Sequence, residues 1–213
     1  MKLQIFETND FLELCYLLID ESTLETAVVD PGMMKEHKRN EVCDFIESKG
    51  LNVKYILLTH AHLDHAAAAE DLAKKYGVEV YANMSDAELA QNLPDQAMRF
   101  RLPVNLKPLK FDKFLNDGDI LMLGDERIEV IATPGHSMGG LVYYVPDSGF
   151  ACVGDTIFQG SIGRTDLPGG DFYTLIESIK EKVFALPDET VLFSGHGPST
   201  TVLREKQMNP YVR

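Results

Sequence analysis

The segment THAHLDH, residues 59–65, places His60, His62, Asp64 and His65 within six positions of a chain that has only six histidines. Imidazole nitrogen and carboxylate oxygen are donors that suit zinc, and iron and manganese accept them as well. If the segment is extended, His60 and His62 point the same way, because side chains alternate with period two. Asp64 and His65 then begin a second set as the chain turns. Asp64 alone would more often be a helix cap than a ligand. Four donors at H-x-H-x-D-H spacing are hard to obtain that way, and they point to metal chemistry.

Three further segments carry the same kind of residue at the same kind of place. IEVIATPGHSMGG ends a strand pattern and turns at His136, TVLFSGHGPST turns at His196 between two glycines, and GFACVGDTIF ends at Asp155 after Gly154. Glycine beside a ligand lets the backbone approach closely. The remaining histidine, His37, lies in the charged stretch KEHKRN and reads as a solvated helix residue. His60, His62, His65, His136 and His196 supply nitrogens, and Asp64 and Asp155 supply carboxylates. One closed zinc site needs four ligands, so this set is too large for it. Two divalent ions sharing a bridging carboxylate fit the count and leave room for water. Two such ions, two carboxylates and one hydroxide leave a net charge of about +1, which holds an anionic group and steadies a tetrahedral oxyanion. Hydrolysis of an acyl compound is the chemistry expected.

Positioning these residues requires strand ends gathered at one edge, where α/β sheets usually bind ligands. Alternating patterns predict strands near 2–6, 12–19 and 25–29, the last broken by Pro31 and Gly32. Val42, Phe45 and Ile46 predict a helix over 35–49, stopped by Gly50. VKYILLT (53–59) reads as a strand, AAAAEDLAKKY (66–76) as a helix closed by Gly77, and VEVYA (78–82) as a strand. Within 83–116, SDAELAQ predicts a helix capped by Ser85, and a proline-bearing, loop-rich insertion is expected after it. Strands are expected at 120–123, 127–132, 141–145, 150–153 and over TVLFS. A helix is expected over 172–185, with Phe172, Leu175, Ile176, Ile179 and Val183 on one stripe, and a short one from about Thr200. Strands and helices alternate without a linker, which predicts one layered α/β domain over residues 1–213.

The totals exclude several classes. A net charge of −13 repels phosphate backbones, so nucleic acid is not an expected partner; an anionic small molecule is, because a metal dominates the local field. No apolar run approaches the roughly 18 residues of a membrane span, and the N-terminus lacks a signal-peptide pattern. An intracellular, cytoplasmic protein is expected. Cys15, Cys43 and Cys152 form no C-x-x-C pair and read as small buried hydrophobes.

VVDPG (28–32), THAHLDH (59–65), TPGHSMGG (133–140), GDTIF (154–158) and SGHGPSTT (194–201) follow one another in this order. In this the chain resembles the metallo-β-lactamase superfamily over nearly its whole length. The resemblance implies a four-layer αββα sandwich. His60, His62 and His136 would hold one ion, Asp64, His65 and His196 the other, and Asp155 would bridge them. His62, Asp64 and Asp155 are the ligands it marks as catalytic, and Asp30 would orient ligands from behind. GSIGRTDLPGGD (160–171) and the C-terminal GHGPSTTVLREKQMNPYV resemble the hydroxyacylglutathione hydrolase group, in particular its short bacterial glyoxalase II members. That implies hydrolysis of thioesters such as S-lactoylglutathione by a hydroxide bridging two ions, most readily zinc. Arg164 and Asp166 would either position substrate or pair with each other. Ala66 to Ala69 replace glycines common in the family and should stiffen the helix start. The helical domain with which longer glyoxalase II enzymes grip glutathione has no counterpart here, so the acyl half of the substrate should matter more than the thiol half. A mononuclear iron persulfide dioxygenase, using His60, His136 and Asp155, is the nearest rival on the same fold, and an inactive metal-binding relative is a weaker one. A β-lactamase is less expected for want of an export signal.

Overall fold

The computed structural model describes residues 1–212. Two six-stranded sheets form the centre. The first runs in strand order β1 (Lys2–Glu7), β2 (Leu14–Ile19), β3 (Glu25–Val29), β4 (Asn52–Leu57), β5 (Val80–Ala82) and β6 (Lys113–Phe114). The second comprises β7 (Ile120–Leu123), β8 (Glu126–Ala132), β9 (Leu141–Val145), β10 (Phe150–Gly154), β13 (Val191–Ser194) and β14 (Thr200–Thr201), in the order β14-β13-β10-β9-β8-β7. A small hairpin, β11 (Ile157–Phe158) with β12 (Ser161–Ile162), follows β10.

Period-two alternation explains the layering. On β2 and β3, Leu18, Ala27 and Val29 pack with Ile128, Val130, Tyr143 and Cys152 of the second sheet, while Leu17 and Val28 point the other way. Those outward residues meet Val42 and Ile46 of α1 (Glu36–Ser48) and Leu72 of α3 (Ala69–Tyr76). On the far side, Val142, Ala151 and Val153 pack on Leu175 and Ile179 of α6 (Phe172–Glu181) and Val202 of α7 (Val202–Met208). Helix, sheet, sheet, helix is the four-layer αββα sandwich.

Local structure departs from expectation in several places. The helix expected over 66–76 is two pieces, α2 (Leu63–Ala66) and α3, with Ala67 and Ala68 between them. The alanines therefore do not stiffen a continuous helix start. The break lets Ala68 N donate to Pro31 O, tying the segment to the end of β3. The region 83–116 is more regular than a loop-rich insertion: α4 (Ala87–Gln91) and α5 (Leu93–Arg99) follow a 3₁₀ turn, and β6 closes it. Pro94 lies in the first turn of α5, where a missing N–H costs nothing, so it starts that helix and does not break it. Ser85 is not a cap: Asn83 caps the 3₁₀ turn, its side chain accepting from Ser85 N, and α4 begins after Asp86 without a side-chain cap bond. The helix expected over 172–185 ends as α at Glu181 and continues as a 3₁₀ turn over Val183–Ala185. All three cysteines are buried and free. No helix among the described residues is long and apolar enough to cross a membrane.

Candidate metal centre

The C-terminal ends of β4, β8, β10 and β13 converge at one edge of the sandwich. They are tied across the two sheets there: Leu141 N donates to Thr59 O at 2.7 Å, Tyr143 Oη to Leu58 O at 2.6 Å and Tyr16 Oη to Ser194 O at 2.6 Å. His60 and His62 follow β4, and His62, in extended backbone, immediately precedes α2, which carries Asp64 and His65. His136 follows β8, Asp155 follows a register shift at the end of β10, and His196 follows β13.

Two groups of donors match the expected sets, and a third, Asp30 with His60 and His65, shares a member with each. Ring nitrogens of His60, His62 and His136 lie within 4.8 Å of one another, and so do donor atoms of Asp64, His65 and His196. His136 Nε2 is 2.9 Å from His62 Nδ1 and 3.2 Å from His60 Nε2. Lone pairs at that spacing repel unless a proton or a cation stands among them. Asp155 sits between the groups: its Oδ1 is 3.4 Å from His65 Nε2, and its Oδ2 is 3.6 Å from His136 Nε2 and 3.7 Å from His196 Nε2.

Hydrogen bonds from behind fix which ring nitrogen faces inward. His65 Nδ1 donates to Asp30 Oδ2 at 2.9 Å, His136 Nδ1 to Arg164 O at 2.8 Å and His196 Nδ1 to Phe11 O at 2.9 Å. His60 Nδ1 meets Thr59 Oγ1, which itself donates to Asp30 Oδ2. Asp30 thus orients two ligand rings, one directly and one through Thr59. It holds an unusual backbone, φ 51°, to do so.

Electrostatics match a cation site. Burial, reinforced by the neighbouring His136, depresses the His62 imidazole to about 3, and burial with the nearby His65 and His136 drives His60 down as well, so both rings are neutral at neutral pH and have a lone pair to offer. Burial alone would raise the Asp155 carboxyl. The surrounding His65, His136 and His196 outweigh it and hold Asp155 well below the usual carboxylate range. His65 shows the mirror case: burial pulls it down, yet the charges of Asp155, Asp30 and Asp64 lift it well above the ordinary imidazole range. His65 Nε2 and Asp155 Oδ1 are buried without a hydrogen-bond partner among the described residues. Orphaned polar atoms of this kind are costly unless something pairs with them. Gly195 keeps the space open, since a Cβ there would lie 2.3 Å from Asp155 Oδ1 and 2.5 Å from His65 Cε1. The donor chemistry and the orphaned atoms fit a pair of divalent ions.

Arg164 and Asp166 form a bidentate pair with both contacts at 2.8 Å, exposed on the loop after β12. Arg164 also lines the cavity of about 210 Å³ above the centre, with Phe11, Gln96 and Leu167. His37 is exposed on α1, away from both donor groups.

Several bracing residues had no signature in the sequence. Asp86, 2% exposed, accepts from Ala61 N, Ser137 Oγ and Gly139 N, so one carboxylate clamps the His60–His62 loop to the His136 loop. Burial lifts its carboxyl above the usual range against those bonds. Asn9 Nδ2 donates to Gly32 O and Asp64 O. Gln96 Oε1 accepts from Leu63 N, fastening α5 to the ligand segment. Glu13 is fully buried behind His65, 4.0 Å from its Nδ1, and burial drives its carboxyl well above the usual range.

Fold and centre together define a metal-binding protein of the sandwich type, and the sequence comparisons place it. Residues 9–196 match the Metallo-beta-lactamase superfamily, and the chain belongs to that superfamily of metallo-hydrolases. It is 39% identical over 214 residues to hydroxyacylglutathione hydrolase GloC of Haemophilus influenzae, covering 100% of this chain and 98% of the relative. It is 40% identical to the probable metallo-hydrolase YqgX of Bacillus subtilis, covering 92% and 90%. Among solved structures, the B3 metallo-beta-lactamase BLEG-1 superposes with a TM-score of 0.90 at 30% identity over 99% of both chains. TTHA1623, solved in a di-iron-bound form, superposes with a TM-score of 0.86 at 32% identity over 98% and 99%.

Proposed function

We propose that the protein hydrolyses thioesters of the S-lactoylglutathione type, with two divalent ions held by the seven donors at the sheet edge. The observation that carries this reading is the position of Asp155, whose carboxylate faces His136 of one donor group and His65 and His196 of the other, in a chain similar along its whole length to a hydroxyacylglutathione hydrolase. His60, His62 and His136 would hold one ion, and Asp64, His65 and His196 the other. Zinc is the first expectation, and the likeness to a protein solved with two irons keeps iron open. When bound, such ions acidify a water molecule and stabilise the oxyanion that develops on the acyl carbonyl.

The chain's own residues supply placement. Asp30 and Thr59 hold His60 and His65 in the tautomer that leaves Nε2 inward, and the Arg164 and Phe11 carbonyls do the same for His136 and His196. In the net reaction, the oxygen of water bonds to the acyl carbon, the carbon–sulfur bond breaks, and the departing thiolate takes up a proton. Arg164, at the cavity wall and tethered to Asp166, would face an anionic part of the substrate. A small molecule is the partner in this reading.

The test is metal analysis of purified protein alongside an assay with S-lactoylglutathione. Two equivalents of metal, with turnover lost on chelation and restored by zinc, are expected. One equivalent of iron with oxygen uptake on glutathione persulfide would replace this reading by the dioxygenase one. Bound metal without turnover of any thioester would leave an inert relative.

A further inference from the structure

The metal cavity continues sideways. His62, Gln96, Phe100 and Leu167 line both the cavity above the donors and a second cleft of about 210 Å³ between α4–α5 and the loop after β12. Leu89, Phe100, Leu167 and Pro168 form the apolar walls of that cleft, with exposed Asp95 and Arg99 at its rim. Its floor is firmly attached to the ligand segment. Gln96 Oε1 accepts from Leu63 N at 2.9 Å, and its Nε2 donates to Leu89 O at 2.9 Å and Ala61 O at 3.3 Å. A group lying in the cleft therefore starts beside His62, within reach of a carbonyl held at the donors.

From this continuity we infer that the cleft is an acyl-chain subsite, and that the preferred substrates are thioesters whose acyl arm is apolar and about six carbons long. The inference rests on the thioester reading and moves its preferred acyl group from the short polar lactoyl to a longer apolar chain. Size decides which arm enters. Whole drug-sized ligands occupy roughly 300–1,000 Å³, and a tripeptide thiol is of that size. An apolar cavity of about 150 Å³ already holds benzene, so the cleft takes a group slightly larger than that. The rim carries one charge of each sign, Asp95 and Arg99, so the apolar walls and not the rim select the arm that enters, while Arg164 stands on the wall of the metal cavity. The thiol arm leaves past Arg164 and the acyl arm lies along Leu89.

The experiment uses the zinc-loaded protein and a series of acetyl, butyryl, hexanoyl and decanoyl thioesters, each on glutathione and on N-acetylcysteamine. The expected kcat/KM rises about fourfold per methylene up to hexanoyl and then levels off, with the same slope on both thiols. Leu89→Trp and Leu167→Trp, from opposite walls, should each lower the hexanoyl-to-acetyl ratio at least tenfold. A second readout is independent of turnover: hexanoate should bind the zinc-loaded protein more tightly than acetate by calorimetry, and each tryptophan should abolish the difference. A flat acyl series, a slope that changes with the thiol, or a hexanoyl-to-acetyl ratio that ignores both tryptophans would overturn the assignment. If no thioester is hydrolysed but the hexanoate preference persists and is lost in the variants, the thioester reading fails while the cleft stands as an acyl site. Equal binding of both acids would overturn the cleft.

Discussion

The two halves of the metal centre are built in opposite ways. The first sheet contributes His60, His62, Asp64 and His65 from one continuous stretch after a single strand. The second sheet contributes His136, Asp155 and His196 from three strands and three separate turns. The first half is fixed by side chains that reach in from elsewhere: Asp30 through Thr59 and His65, Asn9 on the Asp64 backbone, Gln96 on Leu63. In the second half one hydrogen-bonded sheet, to which β8, β10 and β13 belong, places the chain, and the Arg164 and Phe11 carbonyls only turn the rings of His136 and His196. A contiguous motif is compact in sequence but needs outside braces. A distributed one is scattered in sequence and inherits its precision from the fold.

Asp155 is where the halves meet, and its loss should cost most. Asp155→Ala removes the carboxylate that faces His65, His136 and His196 together, so thioester hydrolysis should fall by two or more decades and bound metal should drop below two equivalents. His62→Ala should lower turnover by a similar factor while the Asp64, His65 and His196 group keeps its ion. Steady-state kinetics with metal analysis on the same samples checks both. Near-normal rates in either variant would mean that the halves do not work as one centre.

The braces come next. Asp30→Ala frees two imidazoles at once, so metal affinity should weaken about 10–100-fold in both donor groups. Competition with a coloured chelator reads this directly. If only one ion were weakened, the chain from His60 through Thr59 to Asp30 would not be holding His60.

Asp86 sharpens the comparison, because its carboxylate accepts from the His60–His62 loop and from the His136 loop. Asp86→Ala leaves Ala61 N, Gly139 N and Ser137 Oγ without their acceptor, and each unsatisfied buried donor costs about 1–3 kcal/mol. A loss of about 3 kcal/mol or more in denaturant unfolding is expected, with occupancy falling first at the His60, His62 and His136 group, whose two loops Asp86 clamps together. Asp86→Asn keeps the volume and one acceptor oxygen and should lose less. Equal losses in both variants would point to packing and not to the clamp.

This contrast also explains what could be read from the sequence. Period-two alternation reveals the longer strands of both sheets, though not the two-residue β6 and β14, and with them the strand ends that carry His136, Asp155 and His196. H-x-H-x-D-H spacing made the contiguous half conspicuous. The braces were illegible for a physical reason: Asp86 lies in a stretch that reads as a helix start, and Gln96 in one that reads as a loop. Each acts on residues 25 to 53 positions away, at distances that only the folded chain defines. Within 83–116 only Pro94 misleads, since it opens α5, while Pro103 and Pro108 lie in the irregular stretch 101–112 as their residue type suggests. Arg164 and Asp166 pair with each other, one of the two outcomes their spacing allowed.

The smallest expected effect is the control for the whole comparison. His37 is the sixth histidine, exposed on α1 and absent from every donor group among the described residues. Surface substitutions away from caps, cores and sites usually change stability by no more than about 0.5 kcal/mol. His37→Ala should therefore leave metal content, turnover and unfolding midpoint where they were. A substantial fall in bound metal would show that imidazole count, and not position at the sheet edge, governs loading, and the distinction between the two halves would lose its meaning.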